Sequence, residues 1–236
     1  MKHKWRITCI SDTHTKQKVL DGLLPGGDIL IHAGDFMNSG YNPMDATMFF
    51  KWFDEIDNYD TKVFISGNHD RWMQNKPEEV KGILTEYKTI EYLEDDLLIL
   101  GEGEYIDMIK IWGTPWQPEF FNWAFNVPRG EQIKEKWDKI PVNTDVLIVH
   151  GPPYGKLDYV PSSRENVGCD ELLKKIDEIK PKIVVCGHIH EGRGMVNHNG
   201  TLIINASILN DRYEFRYKPL TFDFDFTTGE WEVVEF

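Results

Sequence analysis

Five short apolar runs in this sequence each give way to residues that can hold a metal ion or move a proton. "WRITCIS" leads into Asp12 and His14, "DILIHAG" into Asp35, and "KVFISG" into Asn68, His69 and Asp70. "DVLIV" ends in His150, and "KIVVCG" is followed by His188 and His190. Five of the eight histidines fall at these positions, which chance scatter along a chain would rarely produce. Imidazole, carboxylate and amide groups without a thiolate suit Mn, Fe, Zn, Ni or Co. Asp12, His14, Asp35, Asn68, His150, His188 and His190 are too many donors for one tetrahedral zinc. They suffice for two ions if one carboxylate bridges. Asp12 with His14, and His188 with His190, are spaced i and i+2. In an extended segment such residues point the same way, so each pair is expected to chelate.

The runs that carry these groups are rich in Val and Ile and too short for most helices, so they read as strands buried on both faces. Ligands of α/β sheets bind beyond the carboxyl ends of the strands, where all these groups stand. Between the strands lie amphipathic helix candidates. In "PMDATMFFKWFDEI" the expected apolar stripe is Met48, Phe49, Trp52, Phe53 and Ile56. In "CDELLKKIDEIKP" it is Leu172, Leu173, Ile176 and Ile179, with Pro181 as a stop. "RGEQIKEKWDKI" is a weaker candidate. Alternating strand and helix makes the class α/β. Near the C-terminus, "MVNHNGTLIINAS" reads as a hairpin turning at Asn199-Gly200, and "LTFDFDFTTGEWEVVEF" as antiparallel sheet around Thr228-Gly229, wet on one face. Gly34, Gly67, Gly151 and Gly187 are expected to let the backbone approach the site closely. With no linker or repeat, residues 1–236 read as a single domain.

The net charge of -13 offers no basic face for a nucleic-acid backbone. A small anion could still be drawn to a local metal site. Three dispersed cysteines, Cys9, Cys169 and Cys186, make neither a disulfide framework nor a thiolate zinc site. The expected setting is a reducing cytoplasm, with no signal peptide and no membrane association. A homodimer stays open.

The ordered set "SDTH", "AGDF", "GNHD", "VHGPP" and "CGHIH" resembles the calcineurin-like metallophosphoesterase superfamily. "GTPWQPEFFNWAFNVPRG", "HGPPYGKLD" and "GHIHEGRG" further resemble the metallophosphoesterase-domain-containing proteins. The resemblance implies two mixed sheets sandwiched between helices. It implies one divalent ion on Asp12, His14 and His190, another on Asn68, His150 and His188, and Asp35 bridging. Mn2+ is the first expectation, with Fe, Zn, Ni or Co as alternatives. A hydroxide between the ions would attack phosphorus, and His69 would be no ligand but would act on the departing oxygen. The second motif here is "GDFMNSG" and lacks the Arg of Ser/Thr protein phosphatases. The expected substrate is therefore a small phosphodiester such as a cyclic nucleotide. The competing expectation is a non-catalytic or slow nucleotide-binding scaffold, which would have no need to keep all seven ligands.

The remaining residues carry less. His32 lies within an apolar strand and is expected to be a core histidine with a satisfied hydrogen bond. His3 and His198 are expected to be exposed, and Cys9 and Cys186 to be small core residues. Trp116, Phe120, Phe121, Trp123 and Phe125 form either a lid or partner surface, or a cap on the core. Arg129 and Arg164 could reach phosphate, although solvated arginines are commoner. Asp70 could tune its turn or support a ligand. "EYLEDD" reads as a solvated turn.

Overall fold

The computed structural model describes residues 4–101 and 108–235. Its first sheet contains β1 (Lys4–Ile10), β2 (Gly27–Ala33), β3 (Tyr59–Ile65) and β4 (Ile90–Tyr92), all parallel. The second begins with β5 (Asp96–Leu100) antiparallel to β6 (Ile109–Thr114). Two short strands follow, β7 (Gln117–Pro118) paired with β8 (Asn126–Val127). β9 (Val146–Val149) then lies parallel to β6. A small hairpin joins β10 (Tyr159–Val160) to β11 (Glu165–Asn166). β12 (Ile183–Cys186), β13 (Gly194–His198) and β14 (Thr201–Asn205) complete the second sheet, in the order β13-β14-β12-β9-β6-β5. β15 (Leu220–Asp225) returns to the first sheet antiparallel to β1, and β16 (Trp231–Val233) closes its edge.

The two sheets face each other. Alternate residues of the parallel strands meet between them: Ile7, Cys9, Ile29, Ile31, Val63 and Ile65 from one side, and Ile111, Val146, Ile148, Ile183, Val185 and Ile204 from the other. The opposite faces are apolar as well, which is why the runs are continuous rather than alternating. Leu30 and Phe64 pack under α1 (Pro43–Asp54) and beside α2 (Arg71–Asn75) and α3 (Pro77–Leu84). Leu147, Val184, Cys186 and Ile203 pack under α4 (Glu131–Trp137) and α5 (Asp170–Ile179). The result is helices, sheet, sheet, helices, in four layers.

Local chemistry sets the element ends. Asn42 caps α1 by accepting from the Met44 N–H, with Pro43 at the first helical position. The face α1 buries is Ala46, Phe49, Phe50, Trp52 and Phe53. Met48, expected in the stripe, is 49% exposed; the sheet selects residues 46, 49, 50 and 53, and Met48 lies off that arc. Ile56 lies past the helix end and packs on the cluster's margin. α5 stops at Lys180, whose φ of 49° is left-handed, just before Pro181. Both expected turns form, and Asn199 (φ 53°) and Gly200 (φ 93°) suit a primed hairpin.

His3 lies outside the described residues. His198 is half-buried rather than exposed, because its Nε2 meets Asp177 Oδ1 at 2.8 Å. In "EYLEDD", Asp95 is more than a solvated turn residue: it accepts from Thr114 Oγ1 (2.6 Å) and Trp116 Nε1 (3.0 Å) and pairs with Lys139.

His32 is fully buried among Phe36, Phe49 and Phe53. Its Nε2 meets Thr13 Oγ1 at 3.0 Å, and its Nδ1 accepts from the Gly34 N–H at 3.3 Å. Burial pushes its pKa down to about 3, against the pull of Asp12 and Asp35. The folded value lies below the unfolded one, so between about pH 6.5 and 3 only the unfolded chain takes up this proton. Stability then falls with falling pH at about 1.4 kcal/mol per pH unit for that proton. His32→Phe leaves Thr13 and Gly34 unpaired, at a cost of about 1–3 kcal/mol near neutrality. It should nevertheless flatten the acid slope of the metal-free protein by one proton. Urea denaturation across this range checks the difference, and an unchanged slope would mean that His32 is already charged in the fold.

Candidate metal centre

The carboxyl ends of β1, β2 and β3 in one sheet and of β9 and β12 in the other meet at one seam. The loops there are laced together by their own backbones. The Asp12 N–H donates to Gly34 O, the His14 N–H to Asp35 O and the Gly187 N–H to His150 O, each near 3.0 Å. The paired residues do not chelate from extended chain as expected. Asp12 (φ 56°), His14 (φ 40°), Asp35 (φ 59°) and His188 (φ 66°) all adopt left-handed conformations. Each costs an L-residue about 1–2 kcal/mol. The strain lies where the loops must turn sharply to aim side chains inward.

All seven candidate ligands converge. Asp12, His14 and His190 each place one donor atom within 4.8 Å of the others, and so do Asp35, His150 and His188. Asp35 Oδ2 lies 3.2 Å from His150 Nε2 and 3.8 Å from His14 Nε2, between the two trios. Asn68 Oδ1 joins the second trio at 3.0 Å from His150 Nε2. Asp12 Oδ1 lies 3.5 Å from His190 Nε2.

Three imidazoles are oriented alike. Nδ1 of His14, His150 and His190 faces the carbonyl of Met37, Ala33 and Asn210, respectively, at 2.8–3.1 Å. A carbonyl only accepts, so each Nδ1 carries hydrogen and each Nε2 is directed inward, the arrangement a ligating histidine needs. His14 Nε2 is buried without a hydrogen-bond partner. Burial should raise both Asp12 and Asp35, yet both are held low, Asp12 chiefly by His190 and Asp35 chiefly by His150. Conversely, burial opposes charge on His150 and His190, but Asp35 and Asp12 lift them to about 9. His14 and His188 are pushed down by burial to about 4 and about 3. The carboxylates thus demand positive charge from their surroundings, and an orphaned nitrogen faces inward. The donor set fits divalent cations.

Supporting residues were only partly visible in the sequence. Asp70 is fully buried and holds three backbone donors: Oδ2 accepts from Asp35 N–H (2.9 Å) and Gly67 N–H (2.7 Å), and Oδ1 from Met37 N–H (2.8 Å). It does not merely tune its own turn but ties the loop after β2 to the loop after β3. Ser11 and Ser207 donate to Asp12 Oδ2 at 2.6 and 2.7 Å. Ser207 follows β14, which runs parallel to β12. The rule that polar residues at strand ends form sites would have found it, had β14 been read as a parallel strand rather than only as a hairpin arm. Of the four glycines singled out, Gly34, Gly67 and Gly187 are crowded by site atoms. Gly151 is less crowded: a Cβ there would lie 3.3 Å from the Gln117 side chain, a tight contact but not with a site atom.

The seam opens into a cleft of about 1340 Å³ whose wall includes His14, Asp35, Asn68, His69, His188 and His190. The His69 N–H donates to Asp35 Oδ1 at 2.7 Å, and its Nδ1 bonds to Asn38 O. His69 also forms a close trio with His14 and Asp35. Tyr213 covers the first trio, with ring centroids 4.8 Å from His14 and 5.3 Å from His190. The aromatic segment divides. Phe125 is in the core and Trp116 packs against it, Phe120 and Phe121 are exposed on the cleft rim, and Trp123 stacks on His69. The Arg129 guanidinium donates to Val167 O and Gly168 O, while Arg164 is an exposed residue of the β10–β11 turn.

The calcineurin-like phosphoesterase family model matches residues 6–192. Metallophosphoesterase domain-containing protein 1 of Homo sapiens is 36% identical over 233 residues, covering 92% of this chain and 70% of that protein. The protein of the same name from Mus musculus matches equally. Among solved structures, TT1561 of Thermus thermophilus superposes with a TM-score of 0.64 at 14% identity, over 98% of each chain. That likeness concerns the fold. Among the described residues no helix is long and apolar enough to cross a membrane.

Proposed function

The chain belongs to the calcineurin-like phosphoesterase family, and we propose that it is a phosphodiesterase of small diesters such as cyclic nucleotides, working with two divalent ions. The observation that carries this reading is the position of Asp35 Oδ2 between His150 Nε2 and His14 Nε2, one carboxylate oxygen serving two donor trios. Asp12, His14 and His190 would hold one ion and Asn68, His150 and His188 the other, with Asp35 shared. Mn2+ is the first candidate, and Fe, Zn, Ni or Co would fit the same donors. Such ions supply Lewis-acid charge for the phosphoryl oxygens and make water a competent nucleophile at neutral pH.

The chain's own residues do the rest. The N–H groups that Asp70 accepts hold the two ligand loops in register. The His69 N–H fixes the second oxygen of Asp35. With Nδ1 of His69 engaged by Asn38 O, Nε2 is the nitrogen left to face the cleft. As an imidazolium it would give its proton to the departing oxygen. The cations on the cleft wall support the proposed preference for diesters. Arg71 and Arg129 line the cleft, but both donate to backbone carbonyls, of Asn122 and of Val167 and Gly168. A monoester dianion would want such a guanidinium, whereas a diester carries one charge less.

A substrate panel tests this reading. Protein reconstituted with Mn2+ should hydrolyse bis(4-nitrophenyl) phosphate and 2′,3′- or 3′,5′-cyclic nucleotides faster than 4-nitrophenyl phosphate, and chelation should abolish turnover. Preference for the monoester, or turnover indifferent to chelator, would overturn it.

A further inference from the structure

The indole of Trp123 lies over the imidazole of His69, with ring centroids 4.1 Å apart and planes 27° from parallel. That is a stacked pair, a contact worth about 0.5–1.5 kcal/mol beyond the area it buries. The His14 ring meets His69 from another side, edge-on at 4.7 Å and 87°. Asn38 O takes Nδ1. A histidine ring on a loop has two soft torsions, and these three contacts leave it one orientation.

The stack belongs to a wider attachment. The Ala124 N–H donates to Asn68 O at 3.0 Å, the Phe125 N–H to Gln74 Oε1 at 3.0 Å, and Arg71 donates to Asn122 O. The chain around Trp123 is therefore hydrogen-bonded to the very loop that carries His69, and Phe125 is anchored in the core. Phe120 and Phe121, only three and two positions away, are 55% and 76% exposed. Trp123 faces inward onto one imidazole, while Phe120 and Phe121 face the solvent.

We propose that Trp123 is a positioning residue: its indole fixes the His69 ring so that Nε2 meets the leaving oxygen. No covalent step is added; the proton moves from His69 to that oxygen as the phosphorus–oxygen bond breaks. This rests on the acid role given to His69 above. A nitrophenolate leaves without a proton, whereas the alkoxide released from 2′,3′-cyclic AMP needs one. Loss of the acid, or of its aim, therefore spares the first substrate and penalises the second.

The test compares Trp123→Ala, Trp123→Phe and His69→Ala on both substrates, with metal content measured for each. His69→Ala should lose about 10²-fold or more in kcat on the cyclic nucleotide and far less on the nitrophenyl diester. Trp123→Ala should show the same split at about 10-fold or more, with KM little changed and metal content intact. Trp123→Phe should recover most of the loss. A rise in KM with kcat preserved would make Trp123 a substrate platform and overturn the proposal. Equal losses on both substrates for His69→Ala would overturn the acid role, and the proposal with it. An arm without metal or substrate separates the two readings. In metal-free protein the His69 Cε1–H NMR signal should lie upfield under the indole ring current, and its cross-relaxation with the His14 ring should vanish in Trp123→Ala but persist in Trp123→Phe. Persistence of that contact in Trp123→Ala would show that the ring is held without the indole, whatever the panel reports.

Discussion

Asp35→Asn is expected to leave a folded protein that has lost nearly all metal-dependent turnover. The asparagine oxygen can still accept the His69 N–H, as Asp35 Oδ1 does at 2.7 Å. What disappears is the anionic Oδ2 that lies 3.2 Å from His150 and 3.8 Å from His14. An amide oxygen carries no net charge and its nitrogen is no ligand, so the sharing of one donor between two ions fails. Metal-borne charge stabilisation is worth several kcal/mol in such sites. At about 1.4 kcal/mol per tenfold, a loss of roughly 3–4 kcal/mol lowers kcat/KM by about 10²–10³-fold. The metal-free variant should melt below the wild type, because removing one partner of the buried Asp35–His150 pair leaves the other charge uncompensated, at a cost of about 3–5 kcal/mol that loss of the His150 proton would reduce. Added metal should then widen the gap. Wild-type protein at metal concentrations 100-fold over Kd gains about 2.7 kcal/mol, and the variant should gain far less.

Asp70→Asn makes the informative contrast. Asp70 touches no candidate ligand atom but accepts three backbone N–H groups. An amide offers one acceptor oxygen, so at least one N–H is orphaned, at about 1–3 kcal/mol of stability. Its effect on metal affinity should be that of a supporting residue, about 10–100-fold. Calorimetric metal titration and thermal melts of both variants check the pair. Equal loss of activity with equal loss of stability would remove the bridging role assigned to Asp35.

Gly67→Ala should be nearly as damaging, for reasons of space rather than charge. A Cβ at Gly67 would fall 2.6 Å from His150 Nδ1 and still closer to Asp35 Oδ1. Neither neighbour can retreat. His150 is pinned by Nδ1 to Ala33 O at 2.8 Å, and Asp35 by the His69 N–H. Overpacking of this kind costs about 1–3 kcal/mol. The larger effect is functional, because the methyl group pushes Asp35, the proposed bridge, away from His150, a proposed ligand of the second ion. A misplacement of about 1 Å costs about 10²-fold in rate. Gly82→Ala in α3 is the control, with nothing within 4 Å of its Cβ. There the alanine should stabilise by about 0.5–1 kcal/mol and leave activity untouched. Normal kcat in Gly67→Ala would mean that the Asp35–His150 spacing is not critical.

The sequence by itself named the candidate donor set, the strands that carry it and the α/β class, and motif resemblance implied the four-layer arrangement. Strands buried on both faces must be continuous apolar runs, and a change from apolar to chelating residues marks their carboxyl ends; both features are written in residue order. His69 stood apart from the ligands on motif resemblance alone. The sequence did not disclose β6, an interior strand of the second sheet, because "IKIWGT" ends in no ligating residue. Only the tertiary structure decided that the five ligand-bearing strands divide between two sheets and that the site lies at their seam. Strand-end composition is the same whichever sheet a strand joins, whereas pairing depends on contacts between residues far apart in the chain. The same holds for the left-handed turns at Asp12, His14, Asp35 and His188. Asp and His tolerate that backbone better than most side chains, but it is strained for any of them, and bonds from neighbouring loops, Asp70 among them, hold it. Trp123 is the plainest case: an aromatic residue in an aromatic segment, distinguished from Phe120 and Phe121 only by the direction in which the folded loop turns it.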